Sequence, residues 1–208
     1  MPPIRTGLDE RMKNIQQELK EYFEEAQHVY ADAIEAYTKL DSEVYSEAKA
    51  ARAKAREVNW DLTNNLLLIL SLKQPLMKDL RIVATYLRAV DTVERLIRHA
   101  RDIARSDRSL DENADELPKE IVTPVTSMHA CLNSLIDITI ECLTNGGEVP
   151  ADEVREHWKA VKAYHAEAVA ALSILKSDTL GGKAARLDVI NIVNRVDRSA
   201  YNIVRLNG

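Results

Sequence analysis

The chain has 208 residues and a formal net charge of −5; hydrophobic residues make up 46% of it and aromatic residues only 5%. With six glycines and six prolines, this composition provides a packed core and favours long helices over a sandwich or barrel. The negative net charge argues against direct nucleic-acid binding. The longest apolar run, 66–70, is too short to span a membrane, and residues 1–13 lack the apolar segment of a signal peptide. We therefore expect a cytoplasmic protein that does not insert into the membrane.

Apolar residues recur at helical spacing along the first half of the chain. The first predicted helix runs from Leu8 to Tyr37. Asp41 or Ser42 can cap the second helix, which ends at 74–75 because the residue before a proline avoids helical dihedrals. Asp79 is placed to cap a third helix, whose apolar stripe extends past residue 100.

The second half predicts three more helices. The fourth begins near Pro118 or at Thr123–Pro124 and ends at 145–147, where glycines follow an asparagine. The fifth begins near Pro150, and the sixth follows the glycines at 181–182. Two cysteines, Cys131 and Cys142, lie in the fourth helix about 16 Å apart. That separation is too large for a disulfide, so both are expected to be buried thiols.

Part of the sequence occurs twice, 100 residues apart. Segments 87–105 and 187–205 share seven identical residues in 19 aligned positions. A repeat of this length indicates a duplicated unit. We therefore predict an all-α fold of two tandem three-helix bundles, covering 1–106 and 119–208, with the polar segment 107–118 as the linker.

The stretch 66–105 resembles the PhoU family of phosphate-signalling accessory proteins. The resemblance rests on a corner formed by Gln74, Pro75, Asp79, Leu80 and Arg81, and on the helix after it with Glu94, Arg95, Ala100, Asp102 and Ile103. The second half carries the weaker set Arg195, Ala200, Asn202 and Ile203. The length and the duplicated three-helix plan also fit that family.

This resemblance implies a non-enzymatic regulator of phosphate uptake or signalling. Such a protein would be an adaptor between the ATPase of a phosphate ABC transporter and a sensor histidine kinase, would form a homodimer, and would reach the membrane only through its partners. A diverged adaptor for another transporter or a transcriptional complex is the first alternative. A metal-storage or redox helical bundle is the second.

The chain departs from the family at the positions that hold metal clusters in some members. Those members carry two acidic residues four apart on the third and sixth helices, whereas this chain has Glu94 with Arg98 and Asn194 with Arg198. An arginine cannot deprotonate to become a ligand. We therefore predict no metal at these two pairs and no cofactor.

The same two helices are rich in cations. Segments 78–105 and 183–206 each carry a net charge of +3 within an acidic chain. One interpretation is that Arg95, Arg98, Arg195 and Arg198, together with Arg81, bind an acidic or phosphate-bearing partner. The other is a self-satisfied ladder in which Arg98 pairs with Glu94 and Asp102 along one helix face.

Other candidate sites are incomplete. Glu25 and His28 match one Glu-x-x-His unit of a di-iron bundle, but that site needs two such units and two further glutamates. His165 lies on an apolar stripe, where we expect a hydrogen-bonded core histidine. Trp60 and Trp158 are expected to be core or interface anchors. No nucleotide-binding, serine-hydrolase or Cys-x-x-Cys motif occurs, so no enzyme is predicted.

Overall fold

The computed structural model describes residues 3–73, 77–111, 116–146, 148–176, 180 and 182–208. These residues form six helices: α1 (Pro3–Lys39), α2 (Val44–Lys73), α3 (Met77–Asp111), α4 (Lys119–Asn145), α5 (Ala151–Ile174) and α6 (Lys183–Asn207). No strand occurs among them. The predicted all-α fold of six long helices is confirmed.

The helices pack as two groups of three. Helices α1, α2 and α3 contact one another, and so do α4, α5 and α6. The two groups meet where α1 packs on α4 and where α3 packs on α6. Buried apolar side chains from all six helices form one continuous cluster. The chain therefore builds two three-helix bundles around a shared core, with α3 and α6 crossing between them.

Local chemistry explains where the first helices begin and end. Leu40, with φ of 54°, follows the last residue of α1, a left-handed conformation that ends a helix. The carboxylate of Asp41 then accepts a hydrogen bond from the N–H of Glu43 at 3.0 Å, so Asp41 rather than Ser42 organises the start of α2.

The predicted cap at Asp79 is wrong, because α3 already begins at Met77. Asp79 lies in the first turn of α3, where its negative charge suits the helix dipole.

In the second half, Pro118 sets the start of α4. Its carbonyl accepts the N–H groups of Ile121 and Val122 at 2.9 and 3.1 Å, so the alternative start at Thr123–Pro124 is wrong and Pro124 lies inside the helix. Gly146 ends α4 as predicted: its φ is 65° and its N–H donates to the carbonyl of Cys142 at 3.1 Å. Pro150 immediately precedes α5, also as predicted.

The linker predicted at 107–118 begins later in the structure, because its first residues belong to α3. Helix α3 continues to Asp111, and Asp107 and Leu110 are fully buried. Burial of Leu110 extends the helix into a segment whose polar composition favours a loop. Residues 112–115 lie outside the described part of the chain, as do the predicted corner residues Gln74 and Pro75 and the glycines at 147 and 181.

Burial follows the predicted stripes, with informative exceptions. In α1 the core contains Ile15, Leu19, Phe23, Ala26, Tyr30, Ala33 and Tyr37. Trp60 does not reach the core, since 68% of its surface is exposed. Cys131 and Cys142 are partly rather than fully buried. None of the described helices combines the length and the apolar character needed to cross a lipid bilayer.

Candidate functional site

The crossing of α3 and α6 brings equivalent residues of the two repeats together. His99 and Ser199 occupy the same repeat position, 100 residues apart, and their side chains lie 2.9 Å apart from Nδ1 to Oγ. Arg88 contacts the carbonyl of Arg205 at 2.9 Å, whereas residue 102 contacts residue 195. The helices therefore cross in antiparallel directions. A residue meets its own counterpart only near a twofold axis, so a pseudo-twofold axis passes between His99 and Ser199.

Four polar side chains form a buried network at this axis. The hydroxyl of Ser199 donates to the carbonyl of Arg195 at 2.9 Å and accepts from the hydroxyl of Tyr30 at 3.0 Å. Because Ser199 has one proton, its remaining lone pair accepts from the Nδ1–H of His99. The ring of His129 stacks on Tyr30, with 5.6 Å between centroids. The network links α1, α3, α4 and α6.

Both histidines of this network are held neutral. Burial, and after it the positive charges of Arg195, Arg98, Arg198 and Arg95, together lower the pKa of His99 to about 3. Burial alone lowers the pKa of His129 to about 4. Arg98 and Arg198 immediately precede His99 and Ser199 in the chain, and the carbonyl of Arg195 accepts from Ser199, so these arginines belong to the same part of the crossing.

We predict that stability falls as the pH drops from about 6.5 towards 3. In that pH range both histidines become protonated in the unfolded chain but stay neutral in the folded protein. Each histidine therefore lowers the free energy of unfolding by up to about 1.4 kcal/mol per pH unit. Chemical denaturation at several pH values measures this slope. His129→Gln is expected to reduce the slope. The matched change His28→Gln, at an exposed residue of α1 whose ring lies 3.6 Å from Asp32, is expected to change it much less. Equal slopes in all three proteins would contradict the prediction.

The four arginines Arg95, Arg98, Arg195 and Arg198, here called the arginine face, surround the axis unevenly. Arg95 pairs with Asp91 on its own helix at 2.8 Å. Arg195 pairs across the crossing with Asp102 at 3.2 Å, and Asp102 also binds Arg101 at 3.0 Å. Within the described part of the chain, no ion pair or hydrogen bond holds the guanidinium groups of Arg98 and Arg198. These two cations remain available to a ligand or partner.

The predicted Glu94–Arg98–Asp102 ladder does not form. Glu94 instead pairs with Arg52 of α2, and both side chains are largely buried, with 16% and 11% of their surface exposed. Asp102 turns towards α6, where Arg195 lies. Contacts between helices therefore replace the contacts within one helix that spacing alone suggested.

Arg81, the fifth predicted binding residue, lies apart from the arginine face. It is exposed near the beginning of α3, and 14 residues of helix place it about 21 Å from Arg95. The sequence interpretation also missed Arg52, which reaches Glu94 from α2, and it missed Arg88 and Arg205, which line the crossing of α3 and α6. Arg205 is an identical residue of the repeat, with Arg105 as its counterpart, whereas the counterpart of Arg88 is Asp188 and no sequence signal marks Arg88.

Positions 94, 98, 194 and 198, where the resemblance implies metal ligands, lack the donors that a metal needs. Asn194 is the counterpart of Glu94, and its side-chain oxygen accepts from the Nε2–H of His165 of α5 at 3.2 Å. His165 is thus hydrogen-bonded as predicted, but it is only partly buried. Glu94 is engaged by Arg52. Across the described residues, no group of three or more His, Cys, Asp and Glu side chains is placed to hold a metal ion. The residues present do not fit the metal clusters that the resemblance implies.

We predict that the purified, untagged protein contains well under one iron, zinc or manganese per chain. The reason is the cationic side chain at 98 and at 198, which repels a metal ion and offers no lone pair. Elemental analysis measures this content directly. About one metal or more per chain, lost in the Glu94→Gln variant, would contradict the prediction.

Fold and site together define an all-α protein with an internal repeat and an exposed, cationic helix crossing. The PhoU domain matches residues 19–106, and no curated protein matches the sequence. Among solved structures, PhoU from Pseudomonas aeruginosa is similar with a TM-score of 0.77 and 18% identity, covering 95% of this chain and 97% of that one. The phosphate transport system regulatory protein PhoU from Streptococcus pneumoniae is similar with a TM-score of 0.82 and 16% identity, covering 96% and 93%.

Residues 19–106, within the first repeat, match the PhoU domain, and the six-helix chain as a whole has the fold of PhoU proteins. The resemblance inferred from the sequence is thereby confirmed. The match of the domain ends at residue 106, within α3, and covers the half in which the sequence motifs were clearer.

Proposed function

We propose that the protein regulates phosphate transport or phosphate signalling by binding other proteins, without catalysing a reaction. The PhoU domain in 19–106 supports this, as does the fold shared with a protein described as a regulator of a phosphate transport system. The observation that carries the proposal is the arginine face, because its four arginines come from α3 and α6 of the two repeats, which cross where Arg195 pairs with Asp102.

The arginine face suits a partner with an acidic or phosphorylated surface. Guanidinium groups bind carboxylates and phosphates through paired N–H donors. The segments that form the crossing carry a net charge of +3 each, whereas the whole chain carries −5. This separation of charge orients an approaching anionic surface towards the crossing.

The proposed partners are the ATPase of a phosphate ABC transporter and a sensor histidine kinase. Contact with either would hold the protein in the cytoplasm at the inner surface of the membrane. This adaptor role follows from the PhoU family, and the arginine face is the surface on which we place the contact.

A diverged adaptor for another transporter or a transcriptional complex is the second candidate. The observation that favours it is the replacement of acidic residues at 98, 194 and 198, where Arg98, Asn194 and Arg198 now stand. A surface that is cationic instead of anionic selects an anionic partner.

We also propose that the protein forms a homodimer. An exposed apolar stripe on α2 offers a surface for this, since Trp60, Leu67 and Leu68 expose 68%, 46% and 48% of their area. Large apolar side chains grouped on one helix face are typical of an interaction surface. This stripe lies on one of the two described helices, α2 and α5, that take no part in the contact between the two bundles.

Affinity capture from cells grown in high and in low phosphate tests the adaptor role. The phosphate-transporter ATPase or a sensor kinase is expected among the captured proteins in at least one condition. Recovery of another transporter or of a transcriptional complex in both conditions would favour the second candidate. Capture is repeated with the Arg98→Glu, Arg198→Glu variant, because specific binding through the arginine face must be lost in it.

A further inference from the structure

A cleft of about 160 Å³ lies between α3 and α6, to one side of the pseudo-twofold axis. Three arginines and one carboxylate line it, with an amide from α6 beside them: Arg88, Asp91, Arg95, Asn202 and Arg205. We call this the Arg205 cleft. Its charged side chains carry a net charge of +2, and neither Arg88 nor Arg205 belongs to the arginine face.

Several hydrogen-bond donors of the Arg205 cleft have no acceptor. Arg95 is held by Asp91 at 2.8 Å, and Arg88 donates one N–H to the carbonyl of Arg205 at 2.9 Å. Within the described part of the chain, the guanidinium of Arg205 and the side-chain amide of Asn202 have no ion pair or hydrogen bond. Each guanidinium offers five N–H donors, so most of the donors around the cleft are free.

The other side of the pseudo-twofold axis shows what the Arg205 cleft lacks. There Asp102 accepts from Arg195 at 3.2 Å and from Arg101 at 3.0 Å, and so neutralises the cations around it. The repeat counterpart of Asp102 is Asn202, and the counterpart of Arg195 is Arg95. An amide cannot neutralise a guanidinium. In the Arg205 cleft Asp91 pairs with Arg95 instead, and no carboxylate among the described residues pairs with Arg88 or Arg205.

We propose that the Arg205 cleft is a binding site for a tetrahedral oxyanion of the phosphate class. The anion would bind the guanidinium groups of Arg205 and Arg88, which no carboxylate neutralises within the described part of the chain, beside the pair of Arg95 and Asp91. The amide N–H₂ of Asn202 adds a neutral donor that an aspartate would replace with a repelling charge. Planar, paired donors and a local positive charge are what phosphate groups bind in proteins. The proposal does not depend on the adaptor role, since the ligand is a small anion.

The same chemistry could come from free phosphate or from the phosphoryl group of a nucleotide. Calorimetric titration of the full chain at low salt with inorganic phosphate, with sulfate and with ATP distinguishes these sources. Tighter binding of inorganic phosphate than of ATP would identify the free anion as the ligand, and the reverse order would identify a phosphate ester. Binding of sulfate as tightly as of phosphate and ATP would show an adventitious ion site only and overturn the proposal.

Asn202→Asp is the decisive variant, because it restores the counter-ion without removing an arginine. It is expected to weaken binding of inorganic phosphate by about tenfold or more, the effect of losing one charge-assisted contact. Arg205→Gln is expected to weaken it to a similar extent. Arg105→Gln is the matched control: Arg105 is the exposed repeat counterpart of Arg205 on α3, and its loss should leave the affinity unchanged.

Unchanged melting temperatures of the three variants show that they remain folded. The absence of binding by inorganic phosphate and ATP at millimolar concentration would overturn the proposal. So would an Asn202→Asp variant that binds like the original protein, or an Arg105→Gln variant that loses as much affinity as Arg205→Gln.

Discussion

Replacement of both Arg95 and Arg98 by glutamate is expected to abolish capture of the partner at micromolar concentration. Truncating or reversing one charge in a desolvated pair costs about 2–5 kcal/mol, and the exposed position of Arg95 places it at the lower end of that range. Two such losses are comparable to the free energy of about 8 kcal/mol that sustains a micromolar complex. The equivalent double change at Arg195 and Arg198 should have the same effect, because the pseudo-twofold axis places both pairs at one crossing.

Lys13→Glu is the matched control for this experiment. Lys13 is exposed on α1, and a charge at the rim of a surface mainly changes the association rate. Lys20 is less suitable, because it pairs with Glu24 at 3.6 Å. The melting temperature of each variant is measured beside its affinity. Intact capture by an Arg95→Glu, Arg98→Glu variant with a lowered melting temperature would assign these arginines to stability and end the docking proposal.

Ser199→Ala is expected to lower the free energy of unfolding by about 2–5 kcal/mol. The change leaves the hydroxyl of Tyr30 and the Nδ1–H of His99 without their acceptor, and each unsatisfied buried donor costs about 1–3 kcal/mol. For a chain of this size the loss corresponds to a fall of roughly 5–15 °C in melting temperature. Calorimetry or thermal circular dichroism measures it.

Ser173→Ala is the matched control, because Ser173 is a helical serine outside the buried network. Among the described residues, the Ser173 hydroxyl bonds only the carbonyl of Ala170 within its own helix, at 2.7 Å, and it is exposed. Its removal should change stability by less than about 0.5 kcal/mol. If Ser173→Ala and Ser199→Ala prove equally mild, the buried network does not hold the two bundles together in the way described.

The sequence was sufficient to predict the helices and the repeat. Apolar spacing marks α1 correctly because one face of that helix is wholly buried, from Ile15 to Tyr37. The glycine at 146 and the proline at 150 act locally, so their roles could be recognised without tertiary information. The 100-residue offset identifies His99 and Ser199 as repeat counterparts, and these two residues are in contact in the structure.

The pairing of charged residues could not be predicted in the same way. Spacing along α3 brings Glu94, Arg98 and Asp102 onto one face, but it says nothing of a cation on a neighbouring helix. Arg52 of α2 and Arg195 of α6 compete for the two carboxylates and hold them. Pairing between helices depends on how the bundles pack, which local periodicity does not encode. The extension of α3 to Asp111 has a similar cause, since the buried Leu110 outweighs a polar local sequence.

Amide hydrogen exchange of the protein, alone and in complex with a purified partner, tests the arginine face most directly. Peptides from 88–105 and 191–205 are expected to gain protection in the complex, because these segments form the crossing of α3 and α6. The outer helices α2 and α5 should change little. Protection confined to α2 or α5, with the crossing exchanging as it does in the free protein, would contradict the account.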